Sequence, residues 1–140
     1  VPELIFGNLL TSTNYNKNEE KITGGKNGYG AKLTNIFSSE FKIVTISEGK
    51  KYVQVFRNNM SEKDKPKITK CSTKPYTEIS FIPDLKRFGI DKLNKDIISL
   101  MKKKVSDETI RLKALFYGPI AVLYNLNRTK IEIYCLVQNI

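Results

Sequence analysis

The stretch "KITGGKNGYGAKLTNIFSS", Lys21 to Ser39, crowds Gly24, Gly25, Gly28 and Gly30 together and then changes to an apolar spacing of helical type. Glycine has no Cβ, so backbone N–H groups in such a segment can approach an anion closely. A helix beginning near Ala31 would add its positive N-terminal end, and Lys26 and Lys32 would add full charges. The same residues also describe a mobile surface loop closed by a helix cap, and on their own they leave both possibilities open. Two familiar nucleotide loops do not fit. The P-loop needs a Ser or Thr directly after its lysine, whereas Lys32 is followed by Leu33. The dinucleotide fingerprint can start at Gly28, but Leu33 stands where its third glycine belongs and no strand precedes it.

Along the chain, Pro2 suits the first turn of a helix whose stripe is Ile5, Phe6, Leu9 and Leu10. "TSTNYNKNEEK" then reads as a polar loop, and Leu33, Ile36 and Phe37 return to helical spacing. "FKIVTISEG" and "KKYVQVFRNN" read as a hairpin turning through Glu48, Gly49 and Lys50. A polar connection with a short strand near Ile68 leads to "YTEISFIPD", where Ile79 and Phe81 alternate with Glu78 and Ser80 and predict one buried face. Leu93, Ile97, Ile98, Met101 and Val105 predict an amphipathic helix that starts at Asp91 and ends at Lys102–Lys104. That lysine run is either a solvated helix end or a DNA contact. Ile110 to Ile140 is apolar and β-leaning, with turns near Gly118–Pro119 and Asn125–Arg128. Helices first and strands gathered in the middle predict an α+β fold: a two-layer sandwich, helices on one face of a mixed, largely antiparallel sheet.

A chain of 140 residues, 40% of them apolar, is large enough for one folded domain. The net charge of +10 favours a polyanionic partner such as nucleic acid, nucleotide or an acidic surface. An A/T-rich genome, which also enriches Lys, Asn and Ile, accounts for that charge equally well. Cys71 and Cys135 lie far apart, as in a reduced intracellular protein rather than a disulfide scaffold. The sequence contains no His, which excludes Ser-His-Asp and Cys-His triads and most zinc sites. No apolar run reaches the length of a membrane span and no signal peptide is visible, so no membrane partner is expected. Since "VPELIFGNLL" begins within a helix pattern and lacks a starting Met, a fragment of a longer protein is expected.

"LIFGNLLTSTNY" followed by "KITGGKNGYGAKLTNIFSSEF" resembles the ATPase domain of the eukaryotic type IIA DNA topoisomerases. That domain has the Bergerat nucleotide fold, shared with gyrase, MutL, the ninety-kilodalton heat-shock chaperones and histidine kinases. The resemblance covers Val1 to about Val105, all within one part of that domain, and the stretch from Ser106 to Ile140 departs from it. It implies that Ser12, Thr13 and Asn14 contact the nucleoside end of ATP, although such residues also suit helix ends and turns. It implies an ATP lid made of Gly25, Lys26, Asn27, Gly28, Tyr29, Gly30, Ala31 and Lys32, wrapping the triphosphate through backbone N–H groups and the Lys32 ammonium. Family members often carry Arg where Lys26 stands, so the charge survives and the bidentate geometry does not. The role of Tyr29 stays open.

The general-base Glu, the Mg2+-binding Asn and the adenine-reading Asp of the family are expected upstream of Val1, and its transducer domain downstream. Glu3, Glu19 and Glu20 occupy no equivalent place, so this chain alone is expected not to hydrolyse ATP and carries no catalytic or metal-binding residue of its own. For the parent protein the resemblance implies ATP and Mg2+ as cofactors, a homodimer, DNA as partner, double-strand passage and a nuclear location. Two alternatives stand beside it: a non-enzymatic basic module that binds nucleic acid, and another Bergerat-fold ATPase such as a MutL-like protein.

Overall fold

The computed structural model of the protein describes residues 1–8, 29–116, 120–126 and 130–137. Helix α1 runs from Pro2 to Gly7, with proline in its first turn, and stops where Asn8 takes up extended backbone. Helix α2 spans Tyr29–Ile36 and leads within two residues into strand β1, Ser38–Ser47. Strand β2, Lys50–Arg57, returns beside β1 with Ser47 opposite Lys50 and Phe41 opposite Phe56. Between them Glu48 and Gly49 both have positive φ, 50° and 71°, the backbone handedness that a tight two-residue hairpin requires. The expected hairpin is therefore found, with its turn on Glu48 and Gly49.

Short strands β3 (Glu62–Lys63) and β4 (Lys67–Lys70) both pair with the outer edge of β2. Strand β5, Tyr76–Pro83, lies on the other side of β1. A single 3-10 turn, Leu85–Phe88, leads towards helix α3, Lys95–Phe116, and strands β6 (Ile120–Leu126) and β7 (Ile131–Val137) follow. The seven strands form one sheet in the order β3-β2-β1-β5-β7-β6, with β4 also on β2, and each described pair is antiparallel. The expected α+β architecture is the one observed.

The core lies where α1 meets the sheet. Phe56 and Phe81 flank Phe41 in register, so all three rings share one sheet face. Phe6 of α1 comes down on that face, with ring centroids 6.0 Å from Phe41, which is itself 6.4 Å from Phe56 and 6.1 Å from Phe81. Such tilted and offset contacts suit the quadrupoles of aromatic rings and exclude water from the sheet centre. Gly7 makes the approach possible, since a Cβ there would stand 3.1 Å from the Phe56 ring.

Three expectations need correction. On β5 Ile79 and Phe81 pack on the phenylalanine core as expected, but the opposite face is covered too, since Ser80 is buried. The strand is central, with Lys42 of β1 on one side and Glu132 of β7 on the other opposite Ser80. Helix α3 does not start at Asp91; its first turn is capped by Asn94, whose Oδ1 accepts a hydrogen bond from the Ile97 N–H at 2.8 Å. Nor does it end at Lys104. It continues through Phe116, so Lys102–Lys104 lie mid-helix, and Lys103 pairs with Asp107 one turn on at 2.9 Å. Leu112, Lys113, Ala114 and Leu115 are strong helix formers, and the first helix-breaking pair is Gly118–Pro119. The two strands after that pair agree with the β-leaning end of the chain.

Candidate functional site

Helix α2 has an unusual distribution of side chains. Its two buried residues are polar: Lys32, 2% exposed, and Asn35, 1% exposed, three apart on one face. Tyr29 and Leu33 are exposed on the outside. A helix stabilised only by packing on this sheet would turn its leucine inward and its lysine outward. Burying an ammonium and an amide carries a desolvation penalty of several kcal/mol unless both find partners. Lys32 is engaged within the fold. Asn35 donates through Nδ2 to the Phe6 carbonyl at 3.2 Å, which ties α2 to α1, while its Oδ1 is buried without a partner among the described residues. The inner face of α2 is thus built for polar contact.

The two ends of α2 differ. At the N-terminal end Tyr29 and Gly30 are exposed, and a Cβ added at Gly30 would meet nothing within 4 Å. At the C-terminal end several carbonyls accept hydrogen bonds. The Leu33 carbonyl accepts from the Phe37 N–H at 2.9 Å and the Thr34 carbonyl from the Ser38 hydroxyl at 2.5 Å. The Ile36 carbonyl accepts from Asn59 Nδ2 at 2.9 Å, and the Phe37 carbonyl from the Asp84 N–H at 2.8 Å. Arg87 lies over the Phe37 ring at 5.7 Å and completes the joint.

Helix α1 is held by a separate polar cluster. Glu3 accepts from Lys63 at 2.6 Å through Oε1 and from Gln54 Nε2 at 3.3 Å through Oε2. Gln54, 1% exposed, also accepts from the Tyr52 hydroxyl at 2.6 Å and donates to the Asp64 carbonyl at 3.1 Å. The hydrogen bond from Lys63, then that from Gln54, holds the Glu3 carboxyl below the ordinary glutamate value. Glu3 therefore anchors a helix and is not poised as a general base. A cavity of about 620 Å³ opens between α2 and α3, but Leu33, Phe37, Phe81, Phe88, Leu93 and Ile97 line it. Such a wall suits apolar side chains and not a triphosphate.

Of the candidate ATP-site residues, Tyr29, Gly30, Ala31 and Lys32 form the first turn of α2. Ser12, Thr13, Asn14, Gly25, Lys26, Asn27 and Gly28 lie outside the described residues. Asn35, Asn59 and Asp84 emerge only from the structure. Asn35 could have been suspected as a polar residue one turn from Lys32; nothing in the sequence pairs Asn59 with α2.

No protein-family model matches the chain. The DNA topoisomerase 2 of Acanthamoeba polyphaga mimivirus is 54% identical over 119 residues, which cover 84% of this chain and 9% of that protein. The DNA topoisomerase 2 of Arabidopsis thaliana is 56% identical over 111 residues, 76% of this chain and 8% of that protein. The chain thus spans less than a tenth of the length of these relatives. Among solved structures, the ATPase region of Saccharomyces cerevisiae topoisomerase II bound to ICRF-187 (dexrazoxane) superposes with a TM-score of 0.71 at 54% identity, over 76% of this chain and 29% of that one. The ATPase and transducer domains of DNA topoisomerase II from Balamuthia mandrillaris give 0.70 at 45% identity, over 78% of this chain and 30% of that one. Identity above one half over most of the chain, joined to the same fold, admits one conclusion: this chain belongs to the type II DNA topoisomerases, within their ATPase region.

Proposed function

We propose that the chain supplies the lid side of an ATP site in an ATP-dependent, double-strand-passing DNA topoisomerase. The observation that supports this most is the buried Lys32–Asn35 face of α2, directly after the glycine segment. In this site the backbone N–H groups of Gly25 to Gly30 meet phosphate oxygens, the Lys32 ammonium neutralises charge on the triphosphate, and Ser12, Thr13 and Asn14 hold the nucleoside. Mg2+ belongs to the same proposal and would offset phosphate charge. The described residues gather no group of three or more Cys, Asp or Glu able to hold it. Closure of the lid over bound ATP would couple nucleotide contacts to closure of a homodimer gate around DNA in the nucleus, and release after hydrolysis would reopen it.

The test uses the full-length enzyme and its ATP-dependent decatenation of DNA. Lys32→Ala is expected to weaken ATP binding roughly 10- to 100-fold, the worth of a hydrogen bond to a charged group, and to abolish decatenation at moderate ATP. Gly28→Ala is expected to impair it by putting a methyl where the backbone should meet phosphate. If both variants decatenate like wild type, the lid assignment fails.

A further inference from the structure

We infer that Asn59 is a positioning residue for the lid helix, a clamp on the C-terminal end of α2 that sets where its N-terminal turn meets the nucleotide. This rests on the assignment of α2 to the ATP site.

Asn59 sits in the connection after β2, where Asn58, Asn59 and Met60 have φ of 50°, 59° and 66° in succession. Asn tolerates this left-handed region through its short polar side chain, and Met does so poorly. Three such residues in a row persist only where the surroundings over-determine them. Here they do: the Asn58 and Asn59 N–H groups donate to the Ser39 and Ser38 carbonyls at 2.9 and 3.0 Å. Asn58 Nδ2 donates to Glu62 at 2.7 Å, and Met60 packs on the phenylalanine core. The turn so held aims the Asn59 amide back at α2. Both hydrogens of its Nδ2 are used, one on the Ile36 carbonyl at 2.9 Å and one on Asp84 Oδ2 at 3.0 Å. Asp84 in turn donates its N–H to the Phe37 carbonyl. One amide thereby joins the end of α2, the β2–β3 turn and the end of β5.

The mechanical consequence follows from the unequal ends of the helix. Eight residues at 1.5 Å each make a lever about 12 Å long, so a tilt of about 10° at the clamped end moves the N-terminal turn by about 2 Å. That turn carries Gly30 and Lys32, and a shift of this size is enough to spoil contact with a triphosphate.

The experiment uses the full-length topoisomerase and reads three quantities: the Kd of a non-hydrolysable ATP analogue, KM and kcat for ATP, and the melting temperature. Asn59→Gly keeps the positive φ at no steric cost and removes only the two side-chain bonds. It is expected to raise Kd and KM roughly three- to tenfold with kcat near wild type and a melting temperature only slightly lowered. Asn59→Asp, equally at ease in this backbone region, has no donor for the Ile36 carbonyl and faces Asp84; it too is expected to weaken binding, and it carries the test should the Gly variant not fold. Adding Asp84→Asn relieves that repulsion without restoring a donor to Ile36, so binding is expected to stay weak, and its recovery would overturn the assignment. An unchanged Kd in Asn59→Gly, or a lowered melting temperature with unchanged KM, overturns the clamp while Lys32→Ala still weakens binding. If Lys32→Ala also binds normally, the nucleotide site itself has failed and the clamp falls with it.

Discussion

Glu3 and Asp84 are the carboxyl groups whose ionisation is tied to the way the helices are held. Glu3 is held below its ordinary value of 4.5 by the hydrogen bond from Lys63 and then that from Gln54, and Asp84 below 3.8 first by the hydrogen bond from Asn59. A folded-state value below the unfolded one means stability that is complete above the unfolded value and lost as pH falls through the folded one. Acid is therefore expected to loosen α1 below about pH 4.5 and the α2 clamp below about pH 3.8, not between pH 5 and 8. Melting temperature followed from about pH 6 to about pH 2 should fall less steeply for Glu3→Gln than for wild type, and parallel curves would show that Glu3 contributes nothing. Lys32 and Asn35 show how far single residues can be read in advance. The place of Lys32 after the glycines marks it in the sequence, but its burial is not legible there, because a lysine normally faces solvent. In the sequence Asn59 is only the end of the stretch "KKYVQVFRNN", since the carbonyl that it serves lies 23 residues away.

At the scale of elements, two glycines on neighbouring helices predict opposite outcomes. Gly7→Ala would drive a methyl to 3.1 Å from Phe56, a ring 1% exposed and closely packed, and is expected to cost about 1–3 kcal/mol in a urea unfolding measurement. Gly30→Ala meets open space, so its stability should be unchanged or slightly raised, while ATP-analogue binding by the full-length enzyme should weaken if the lid backbone approaches phosphate there. Loss of stability without loss of binding in Gly30→Ala would reverse the assignment of that position. The β1–β2 hairpin was legible because strand periodicity and a Glu-Gly turn agree locally. The length of α3 is not legible in the sequence, because "IRLKALF" is apolar enough for a strand and only its continuity with the preceding turns makes it helical.

For the molecule as a whole, the net charge of +10 is the property that a basic nucleic-acid module would share. Part of that charge is offset locally: Lys63 pairs with Glu3, Lys103 with Asp107 and Lys130 with Glu132, on different elements of the fold. The identity to DNA topoisomerase 2 sequences favours the ATP-site assignment over a stand-alone nucleic-acid binder. Among the described residues, the acidic side chain nearest the start of the chain, Glu3, is spent on an ion pair. The 140-residue chain spans less than a tenth of its relatives' length, and by itself is expected to show no Mg2+-dependent ATP turnover above background in a phosphate-release assay. Measurable turnover would mean that a general base exists within it.

What the sequence determined by itself was local and additive: the glycine segment, the hairpin, the helical stripes and the resemblance carried by "TSTNY" and "GGKNGYGAK". These depend on neighbours a few residues apart, where backbone preference and periodicity act. The tertiary structure decided which face of α2 turns inward, which strand lies at the centre of the sheet and which distant side chains hold the helix ends. Burial of Lys32 and Asn35, cover over Ser80 and the reach of Asn59 to Ile36 all arise from elements brought together by the sheet. No local propensity encodes them, because the desolvation and hydrogen bonding that fix them exist only once the chain has closed on itself.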